Sequence, residues 1–250
     1  MQLLKQVGEA LLATLFPIPC RICNQLVETY AYGIVCQTCW HKVVPLSPQE
    51  GCQRCGYPYR YISAQTRPLD CGRCRPLTFT RARACGRYQG ALRAIILQLK
   101  YRPYICAQLI ELLKITFQQD DELPTSELIL PVPLHSQRLR ERGFNQAETI
   151  AAALAQEVKL PLDRDSLVRI KPTAKHRAGM DRIDRSASVV DAFQVLRPRL
   201  IAGTRILLID DLFTTGCTLS ACAKTLLNAG AASVSVLTLA RVIDPAAFID

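Results

Sequence analysis

The sequence predicts an α/β fold, in which a mostly parallel sheet flanked by helices follows a small cysteine-rich module. Two observations lead to this prediction. Eight of the 12 cysteines lie between residues 20 and 74, in four Cys-x-x-Cys pairs. Between residues 88 and 240, helix-patterned segments alternate with short apolar runs that contain no polar alternation, as expected of parallel strands covered on both faces.

The chain divides into three predicted parts: an amino-terminal helix over residues 1 to 19, the cysteine-rich module over residues 20 to 84, and the α/β domain over residues 85 to 250. A chain of 250 residues has room for one large and one small unit. The amino-terminal segment reads as an amphipathic helix because its apolar residues recur at helical spacing. They are Leu3, Leu4, Val7, Leu11 and Leu12.

The amino-terminal segment also indicates where in the cell the protein is located. It lacks the long apolar centre and the small-residue cleavage site of a signal peptide. No apolar run in the chain reaches the roughly 18 to 20 residues that a membrane-spanning helix requires. The sequence therefore predicts a cytoplasmic protein without a transmembrane segment, and it leaves peripheral attachment at the inner face of the membrane open.

The spacing of the eight cysteines predicts two zinc ions. Two thiolates from one tight turn and two from another complete a tetrahedral shell, and Gly56 and Gly72 suit such turns. A disulfide framework would require secretion, for which the sequence carries no signal. Interleaved pairing of the four Cys-x-x-Cys motifs is open, but sequential pairing is simplest. It gives one site from Cys20, Cys23, Cys36 and Cys39 and another from Cys52, Cys55, Cys71 and Cys74.

The cysteine-rich module and its junction carry the positive charge of the chain. Residues 20 to 104 hold 13 Lys or Arg against 3 acidic residues, a surplus equal to the formal net charge of +10 for the whole chain. Arginines alternate there with Tyr and Phe, a combination that neutralises the phosphates and stacks on the bases of a nucleic-acid single strand. Surface arginines also serve solubility, or could face a phosphorylated ligand. The candidate contacts to single-stranded DNA are Arg73, Arg75, Arg81 and Arg83.

Residues 205 to 219 carry the clearest chemical signal. An apolar run at residues 206 to 209 is followed by Asp210 and Asp211, then by a Thr-Thr-Gly turn and a predicted helix over residues 218 to 228. The first-turn amides of such a helix have no intrahelical partners and favour an anion. The chain contains neither a P-loop nor a dinucleotide-binding glycine motif.

The composition of this turn points to a phosphorylated sugar. Neighbouring carboxylates at a strand end point to opposite sides, so Asp210 and Asp211 can divide two tasks, accepting hydrogen bonds from sugar hydroxyls and holding the water shell of Mg²⁺. The threonine hydroxyls and the amides of residues 214 to 218 suit a terminal phosphate. A simple helix cap would need only one oxygen, whereas this stretch supplies two carboxylates and three threonines.

The remaining elements follow from the hydrophobic pattern. Further helices are predicted over residues 92 to 99, 105 to 117 and 147 to about 158, and further strands over residues 128 to 132, 167 to 170 and 233 to 239, with the central strand at 205 to 210. An acidic surface loop is predicted between residues 118 and 127, and residues 171 to 187 form a polar stretch without a clear period.

Residues 206 to 218 resemble the 5-phosphoribosyl-1-pyrophosphate (PRPP) motif of type I phosphoribosyltransferases, a hydrophobic run followed by two acids, a short pair and Thr-Thr-Gly-x-Thr. The resemblance implies a type I phosphoribosyltransferase-like sheet, with Asp210 and Asp211 as catalytic residues that bind the ribose, and Mg²⁺ bound together with PRPP. It also implies a loop for the 5-phosphate of PRPP. That loop consists of Thr214, Thr215, Gly216, Cys217 and Thr218.

A second resemblance covers nearly the whole chain. The dipeptide Lys100-Tyr101, Pro-Val-Pro-Leu-His at residues 131 to 135 and Arg-Gly-Phe-Asn-Gln at residues 142 to 146 look like the ComF family of competence-associated proteins, which join a double zinc ribbon to a phosphoribosyltransferase domain. The family implies uptake of transforming DNA as single strands, with single-stranded DNA and DNA-uptake proteins as partners. The candidates for pyrophosphate binding are Lys100, His135, Arg138 and Arg142.

Residues 171 to 187 correspond to the loop that closes over PRPP in the resembled fold. The sequence departs from the family there, because His176, Arg177 and Met180 occupy the region of a usual Gln-Leu pair and an expected Asn near residue 188 is a serine. This departure favours PRPP binding over turnover.

Two hypotheses follow for the function. The first is a PRPP-binding protein of DNA uptake that holds single-stranded DNA on its basic zinc module. The second is an active Mg²⁺-dependent phosphoribosyltransferase that transfers ribose 5-phosphate from PRPP to an unknown nitrogen acceptor. A partner that supplies ammonia from glutamine has little support, since the chain has no amino-terminal catalytic cysteine and no glutaminase domain.

Overall fold

The computed structural model describes residues 16 to 58, 69 to 172 and 191 to 243. The predicted amphipathic helix over residues 1 to 19 lies almost wholly outside these ranges, and so does the predicted PRPP-closing loop beyond residue 172. No helix within the described ranges is long and apolar enough to cross a lipid bilayer.

A parallel sheet forms the centre of the described residues, which confirms the predicted fold class. Its four strands run in the spatial order β1-β6-β5-β2, and each neighbouring pair is parallel. The other two strands, β3 and β4, form a separate antiparallel pair. The bounds are β1 (Arg81–Arg87), β2 (Leu128–Pro131), β3 (Leu167–Arg169), β4 (Phe193–Val195), β5 (Arg205–Phe213) and β6 (Ser233–Arg241).

The helices lie on both faces of this sheet, and those predicted from the hydrophobic pattern are present within a few residues of their expected bounds. Short 3₁₀ turns occur at Tyr30–Tyr32 and Leu123–Thr125. The α-helices of the described residues are α1 (Gln37–Trp40), α2 (Gly90–Leu99), α3 (Ala107–Gln118), α4 (Ser136–Arg142), α5 (Gln146–Val158), α6 (Pro198–Ile201) and α7 (Cys217–Asn228).

The strands differ from the sequence prediction in three places. Strand β5 continues to Phe213, so Asp210 and Asp211 lie within the strand and do not follow it. The predicted strand near residues 167 to 170 pairs with β4 outside the parallel sheet. Strand β1 was not predicted, and it begins at Arg81, so the expected domain boundary between residues 84 and 85 falls inside a strand of the sheet.

The two cysteine clusters pack on opposite faces of the sheet. On β5, Leu207 and Ile209 face α2, α3, α5 and the first cluster. The intervening Ile206 and Leu208 face α7 and the second cluster. Alternation of side chains along a strand therefore gives each half of the cysteine-rich module its own hydrophobic core.

The segment between the two clusters covers the edge of the sheet. Strand β1 is an edge strand, and its free side accepts and donates backbone hydrogen bonds with residues 44 to 46. The Arg87 amide donates to the Val44 carbonyl at 3.1 Å, and the Leu46 amide donates to the Cys85 carbonyl at 3.3 Å. These bonds protect an otherwise open strand edge and place one cysteine cluster on each side of it.

A buried ion pair fixes β1 to the loop after α3. Arg83 Nε lies 2.7 Å from Asp120 Oδ2, and the two side chains are only 3% and 2% exposed. Asp120 also accepts hydrogen bonds from the amides of Glu122 and Leu123 at 2.9 and 3.1 Å. The predicted surface loop over residues 118 to 127 therefore contains one buried carboxylate that organises it.

Replacing Asp120 by alanine should destabilise the fold strongly, because it leaves the Arg83 guanidinium buried without its charged partner. We expect a loss of about 3–5 kcal/mol in the free energy of unfolding, measured by urea denaturation. Asp121→Ala is the matched control, since Asp121 is exposed, and it should change stability by less than about 0.5 kcal/mol. Equal effects of the two substitutions would show that the ion pair does not stabilise the fold.

Candidate functional site

Two sets of four cysteines come together in the order of sequential pairing. Within each set the sulfur atoms all lie within 4.8 Å of one another. The Sγ–Sγ distances are 3.5 Å for Cys23 and Cys36, 3.7 Å for Cys52 and Cys74, and 3.7 Å for Cys55 and Cys71. Four sulfurs at about 2.3 Å from a tetrahedral zinc ion would be about 3.8 Å apart, so the two clusters form two zinc-binding sites.

The electrostatics of the clusters also fit a divalent cation. Burial, and next the Cys23 thiol, raise the pKa of Cys39 to about 12. Hydrogen bonding with Cys52 and then Cys71 raises the pKa of Cys55. A bound Zn²⁺ would compensate the negative charge of neighbouring thiolates and so favour ionisation of these two cysteines.

The tight turns of the two clusters use different residues. In the second cluster Gly56 adopts φ +65°, and its amide donates to the Cys52 carbonyl at 2.8 Å, as expected. In the first cluster Asn24 takes the corresponding left-handed conformation with φ 62°, and its amide donates to the Cys20 carbonyl at 3.0 Å. Gly72 lies in the turn between Cys71 and Cys74, as the sequence suggested, although without a positive φ. The amides of Cys74 and Arg75 donate to the Cys71 carbonyl there at 3.0 and 2.9 Å.

The carboxylates of β5 lie on opposite sides of the strand. Asp211 faces α5, is 8% exposed, and accepts a hydrogen bond at 3.5 Å from Gln146 Nε2. Asp210 is partly exposed and faces α7. Removal from bulk water, and next the charge of Asp211, raise the pKa of Asp210 well above its ordinary value, while Arg169 opposes this shift. The pair is therefore a site of concentrated negative charge that a cation would stabilise.

The Thr-Thr-Gly turn is held tightly where α7 begins. Gly216 caps α7 with φ 81°, and a Cβ atom there would lie 2.7 Å from Leu77 Cδ1 and 2.8 Å from Phe213 Cζ. Thr214 is exposed, and Thr215 and Cys217 are partly exposed. The Thr215 hydroxyl lies 3.2 Å from Cys217 Sγ. Only glycine fits this turn, because its conformation and its surroundings both exclude a side chain.

The second zinc-binding site supports this turn directly. The Arg241 guanidinium donates to the Cys55 carbonyl at 2.5 Å and lies 4.0 Å from the centroid of the Phe213 ring. The Thr78 amide, four residues after the last cysteine ligand, donates to the Ser220 hydroxyl on α7 at 2.9 Å. The metal site and the turn therefore belong to one packed unit.

Basic side chains gather beside the acid pair. Lys100, Arg138 and Arg142 line one cavity of about 470 Å³, together with Tyr101 and Glu141. Arg142 donates to the Gln146 carboxamide oxygen, and Gln146 in turn contacts Asp211. Three of the four residues predicted from sequence to bind pyrophosphate therefore line the same cavity. His135 acts as the cap of α4, where its Nδ1 accepts from the Gln137 amide at 3.3 Å.

Comparison with known proteins identifies both parts of the chain. Residues 11 to 75 match the double zinc ribbon domain, and residues 144 to 250 match the phosphoribosyl transferase domain. The DNA utilization protein YhgH of Salmonella typhi is 31% identical over 233 residues, which cover 90% of this chain and 97% of that protein. The competence protein ComFC of Bacillus subtilis is 32% identical over 214 residues, 83% of this chain and 84% of that protein. The chain belongs to the ComF family.

Among solved structures, this ComF-family chain resembles the glutamine phosphoribosylpyrophosphate amidotransferase from B. subtilis complexed with ADP and GMP. The likeness covers 57% of this chain and 30% of that one, with 16% identity and a TM-score of 0.38. A likeness this distant carries no conclusion about activity.

Two site residues of this ComF-family chain escaped the sequence reasoning. Arg169 at the end of β3 lies close enough to Asp210 for each to shift the pKa of the other. Its guanidinium lies 5.2 Å from the centroid of the Phe193 ring on β4. Gln146 joins Arg142 to Asp211. It ends the Arg-Gly-Phe-Asn-Gln motif, but no role was predicted for it from the sequence. The spacing of polar residues after a strand could have suggested Gln146, but nothing local marks Arg169.

The four arginines predicted to contact DNA do not form one surface. Arg83 is buried in its ion pair, so its prediction as a nucleic-acid contact is wrong. Arg81 pairs with Asp120 and Glu122 at 3.8 and 3.7 Å and donates to the Gln53 carbonyl at 2.7 Å. The remaining two, Arg73 and Arg75, are exposed. Arg73 lies over the Tyr57 ring at 4.4 Å, and Arg75 lies 3.7 Å from Asp70.

Proposed function

We propose that this ComF-family protein binds PRPP with Mg²⁺ at the carboxyl end of β5 and acts in the uptake or utilisation of DNA, where it holds a single strand. One observation carries the PRPP assignment. The acid pair and the Thr-Thr-Gly turn on one side, and the cavity lined by Lys100, Arg138 and Arg142 on the other, are joined through Gln146. This is an acidic patch between two sites suited to anions.

Each part of PRPP has a chemical counterpart in this arrangement. The ribose hydroxyls donate hydrogen bonds, for which Asp210 and Asp211 are acceptors. The 5-phosphate suits the first-turn amides of α7, beside Thr214, Thr215 and Thr218. The pyrophosphate suits the guanidinium groups of Arg138 and Arg142, which form bidentate hydrogen bonds with phosphate. Asp210 and Asp211 would also hold Mg²⁺, since carboxylate oxygens are ligands that it prefers.

The role in DNA handling is inferred from relatives that cover most of the chain. One is named a DNA utilization protein and another a competence protein. The positive charge of residues 20 to 104 supports a polyanionic partner, since this region holds the whole net charge of the protein.

The second candidate function is phosphoribosyl transfer. In that case the arginines would stabilise the leaving pyrophosphate and the acid pair would stabilise a cationic sugar, with bound Mg²⁺ supplying further positive charge. The two functions are separated by incubating the protein with PRPP, Mg²⁺ and a panel of nucleobases and amines, and measuring released pyrophosphate. Titration calorimetry of PRPP with Mg²⁺ tests binding independently. Binding without release supports the first function, release with one acceptor supports the second, and absence of binding overturns both.

Replacing both Arg138 and Arg142 by glutamine should weaken PRPP binding without affecting the metal sites. Each charge-assisted hydrogen bond is worth about 1.5–3 kcal/mol, so calorimetry should record a loss of affinity of at least about 100-fold when both are removed. Arg140→Gln is the control, since Arg140 is on the same helix, is exposed, and is not among the residues that line the cavity. An equal loss in the control would point to general charge and not to this cavity.

A further inference from the structure

A groove lies between the first zinc-binding site and α2, outside the site described above. Its volume is about 970 Å³, which is at the upper end of the roughly 300–1,000 Å³ typical of ligand pockets. Its lining includes the apolar residues Ile18, Ile34 and Leu97. The lining also includes three arginines and three tyrosines. They are Arg21, Tyr30, Arg93, Tyr101, Arg102 and Tyr104.

The charge of this groove is of one sign. No Asp or Glu is among its lining residues within the described part of the chain. Arg21, Arg93 and Arg102 are exposed, and none forms an ion pair with a carboxylate of the described residues. Arg81 and Arg83, by contrast, are occupied by Asp120 and Glu122. Arg21, Arg93 and Arg102 are therefore available to an anionic partner, whereas Arg81 and Arg83 are not.

The tyrosines of the groove are arranged as fixed aromatic surfaces. The Tyr104 hydroxyl donates to the Tyr30 carbonyl at 3.3 Å, and the Tyr30 hydroxyl donates to the Phe16 carbonyl at 3.1 Å. These bonds orient the two rings by their polar ends. Tyr101 is 83% exposed. A large aromatic ring that exposed is a candidate stacking surface for a ligand with planar groups.

We propose that this groove is the binding site for single-stranded DNA, with the arginines neutralising phosphates and Tyr101 stacking on a base. Single-strand binding sites combine a cationic track with aromatic stacking in this way, and stacking tolerates any base sequence. The inference rests on the proposed DNA-handling function and assigns it a location. That location differs from the Arg73 and Arg75 surface of the second zinc-binding half.

The groove also adjoins the PRPP cavity. Tyr101 lines both, and Lys100 and Arg102 flank it, one lining each cavity. A strand in the groove therefore brings its phosphates next to the site proposed for pyrophosphate. Because the two anionic ligands would lie side by side and repel each other, Mg²⁺-PRPP should weaken strand binding, and by linkage the strand should weaken PRPP binding by the same factor.

The test uses fluorescence anisotropy of the full-length protein with a labelled oligothymidylate of about 20 nucleotides. Replacing Arg21, Arg93 and Arg102 together by glutamine should weaken binding and reduce the slope of log affinity against log salt by about 2, since each single-strand phosphate contact contributes about 0.7. PRPP affinity of this variant should stay within about twofold, since none of the three residues lines the PRPP cavity. The control variant replaces three exposed cations elsewhere. They are Arg140, Arg199 and Lys224.

A second variant isolates the stacking contribution. Tyr101→Ala should weaken binding about 10-fold or more, because one stacked base is worth about 1–3 kcal/mol, and Tyr101→Phe should restore it. The high exposure of Tyr101 makes loss of folding an implausible cause.

The outcomes separate the groove from the wider function. If the wild-type protein binds the strand and only Arg73→Gln with Arg75→Gln weakens it, the groove assignment is overturned while the DNA-handling function stands. If the wild-type protein binds no strand, both are overturned. Binding of anionic lipid vesicles that depends on the groove arginines, with strand binding unchanged in the same variant, would assign the groove to a membrane surface and overturn the proposal.

Discussion

Replacing Asp210 and Asp211 together by asparagine is expected to abolish PRPP binding while both zinc ions stay bound. The ribose hydroxyls would lose two charged acceptors, and Mg²⁺ would lose the only carboxylate pair on β5. Hydrogen bonds to charged groups contribute about 1.5–3 kcal/mol each, so affinity measured by calorimetry should fall at least about 100-fold. Zinc content measured by mass spectrometry should not change, since neither acid belongs to a cysteine cluster.

The stability of this variant provides a separate readout. The pKa of Asp210 is raised in the folded state by removal from bulk water and by Asp211. Folding therefore becomes less favourable as the pH rises from the ordinary pKa of aspartate towards the raised one, because the unfolded state releases this proton first. The neutral amide removes the repulsion, so the melting temperature should stay the same or rise. Loss of binding with a raised melting temperature cannot be attributed to unfolding.

Single substitutions distinguish the two acids. Asp211 is buried against Gln146, whereas Asp210 is partly exposed. Asp210→Asn should therefore reduce PRPP affinity more than Asp211→Asn. The exposed Asp121→Asn serves as a control for charge alone. Unchanged affinity in the double variant would discard the assignment of the ribose to this pair.

The β5 to α7 segment could be predicted from sequence because its determinants are local. A buried parallel strand needs a continuous apolar run, the turn needs a glycine with positive φ, and the helix stops near Ala229-Gly230. All of these lie within about two dozen consecutive residues. The cysteine clusters could also be predicted from sequence, since metal geometry fixes the spacing of each Cys-x-x-Cys pair. Only the pairing of the four motifs required the fold.

Strand β1 could not be predicted because its partners are distant in the chain. Its sequence alternates Arg with Ala, which reads as a half-exposed segment. In the fold, Arg83 is neutralised by Asp120, and Arg81 by Asp120 and Glu122, almost forty residues later. Pairing with acids distant in the chain is also the reason that the nucleic-acid prediction was wrong for Arg83, since that prediction grouped arginines by their proximity in sequence. The groove assembles Arg21 with Arg93 and Arg102, and no local pattern connects them.

Loss of the second zinc ion is expected to weaken PRPP binding, although no cysteine of that site is proposed to touch PRPP. The site supports the Thr-Thr-Gly turn through Leu77 beside Gly216, through the Thr78 amide bound to Ser220, and through Arg241 between Cys55 and Phe213. Without the metal, the segment that follows Cys74 loses its anchor. Displacement of a binding loop by about 1 Å can cost up to about 100-fold, so we expect a loss of 10- to 100-fold in affinity.

Cys71→Ser tests this expectation against Cys23→Ser, which removes a ligand from the first site. Each variant should bind one zinc ion in place of the two that the clusters of the wild-type chain accommodate. The first site packs on the opposite face of the sheet with α2 and α3, so Cys23→Ser should leave PRPP affinity nearly unchanged and instead weaken strand binding in the adjacent groove. Circular dichroism and thermal melting establish that each variant is still folded at the temperature of the binding measurement.

Ser220→Ala tests the hydrogen bond between Thr78 and Ser220 without removing a metal ion. It removes the hydroxyl that accepts the Thr78 amide, but it leaves all eight cysteines in place. A reduced PRPP affinity with full zinc content would show that the contact between the zinc-binding half and α7 positions the turn. Equal PRPP affinity in the wild-type, Cys71→Ser and Ser220→Ala proteins would instead mean that the turn is held by its own backbone. In that case the zinc ribbon contributes only to folding of the adjacent core, and the coupling between the two halves is absent.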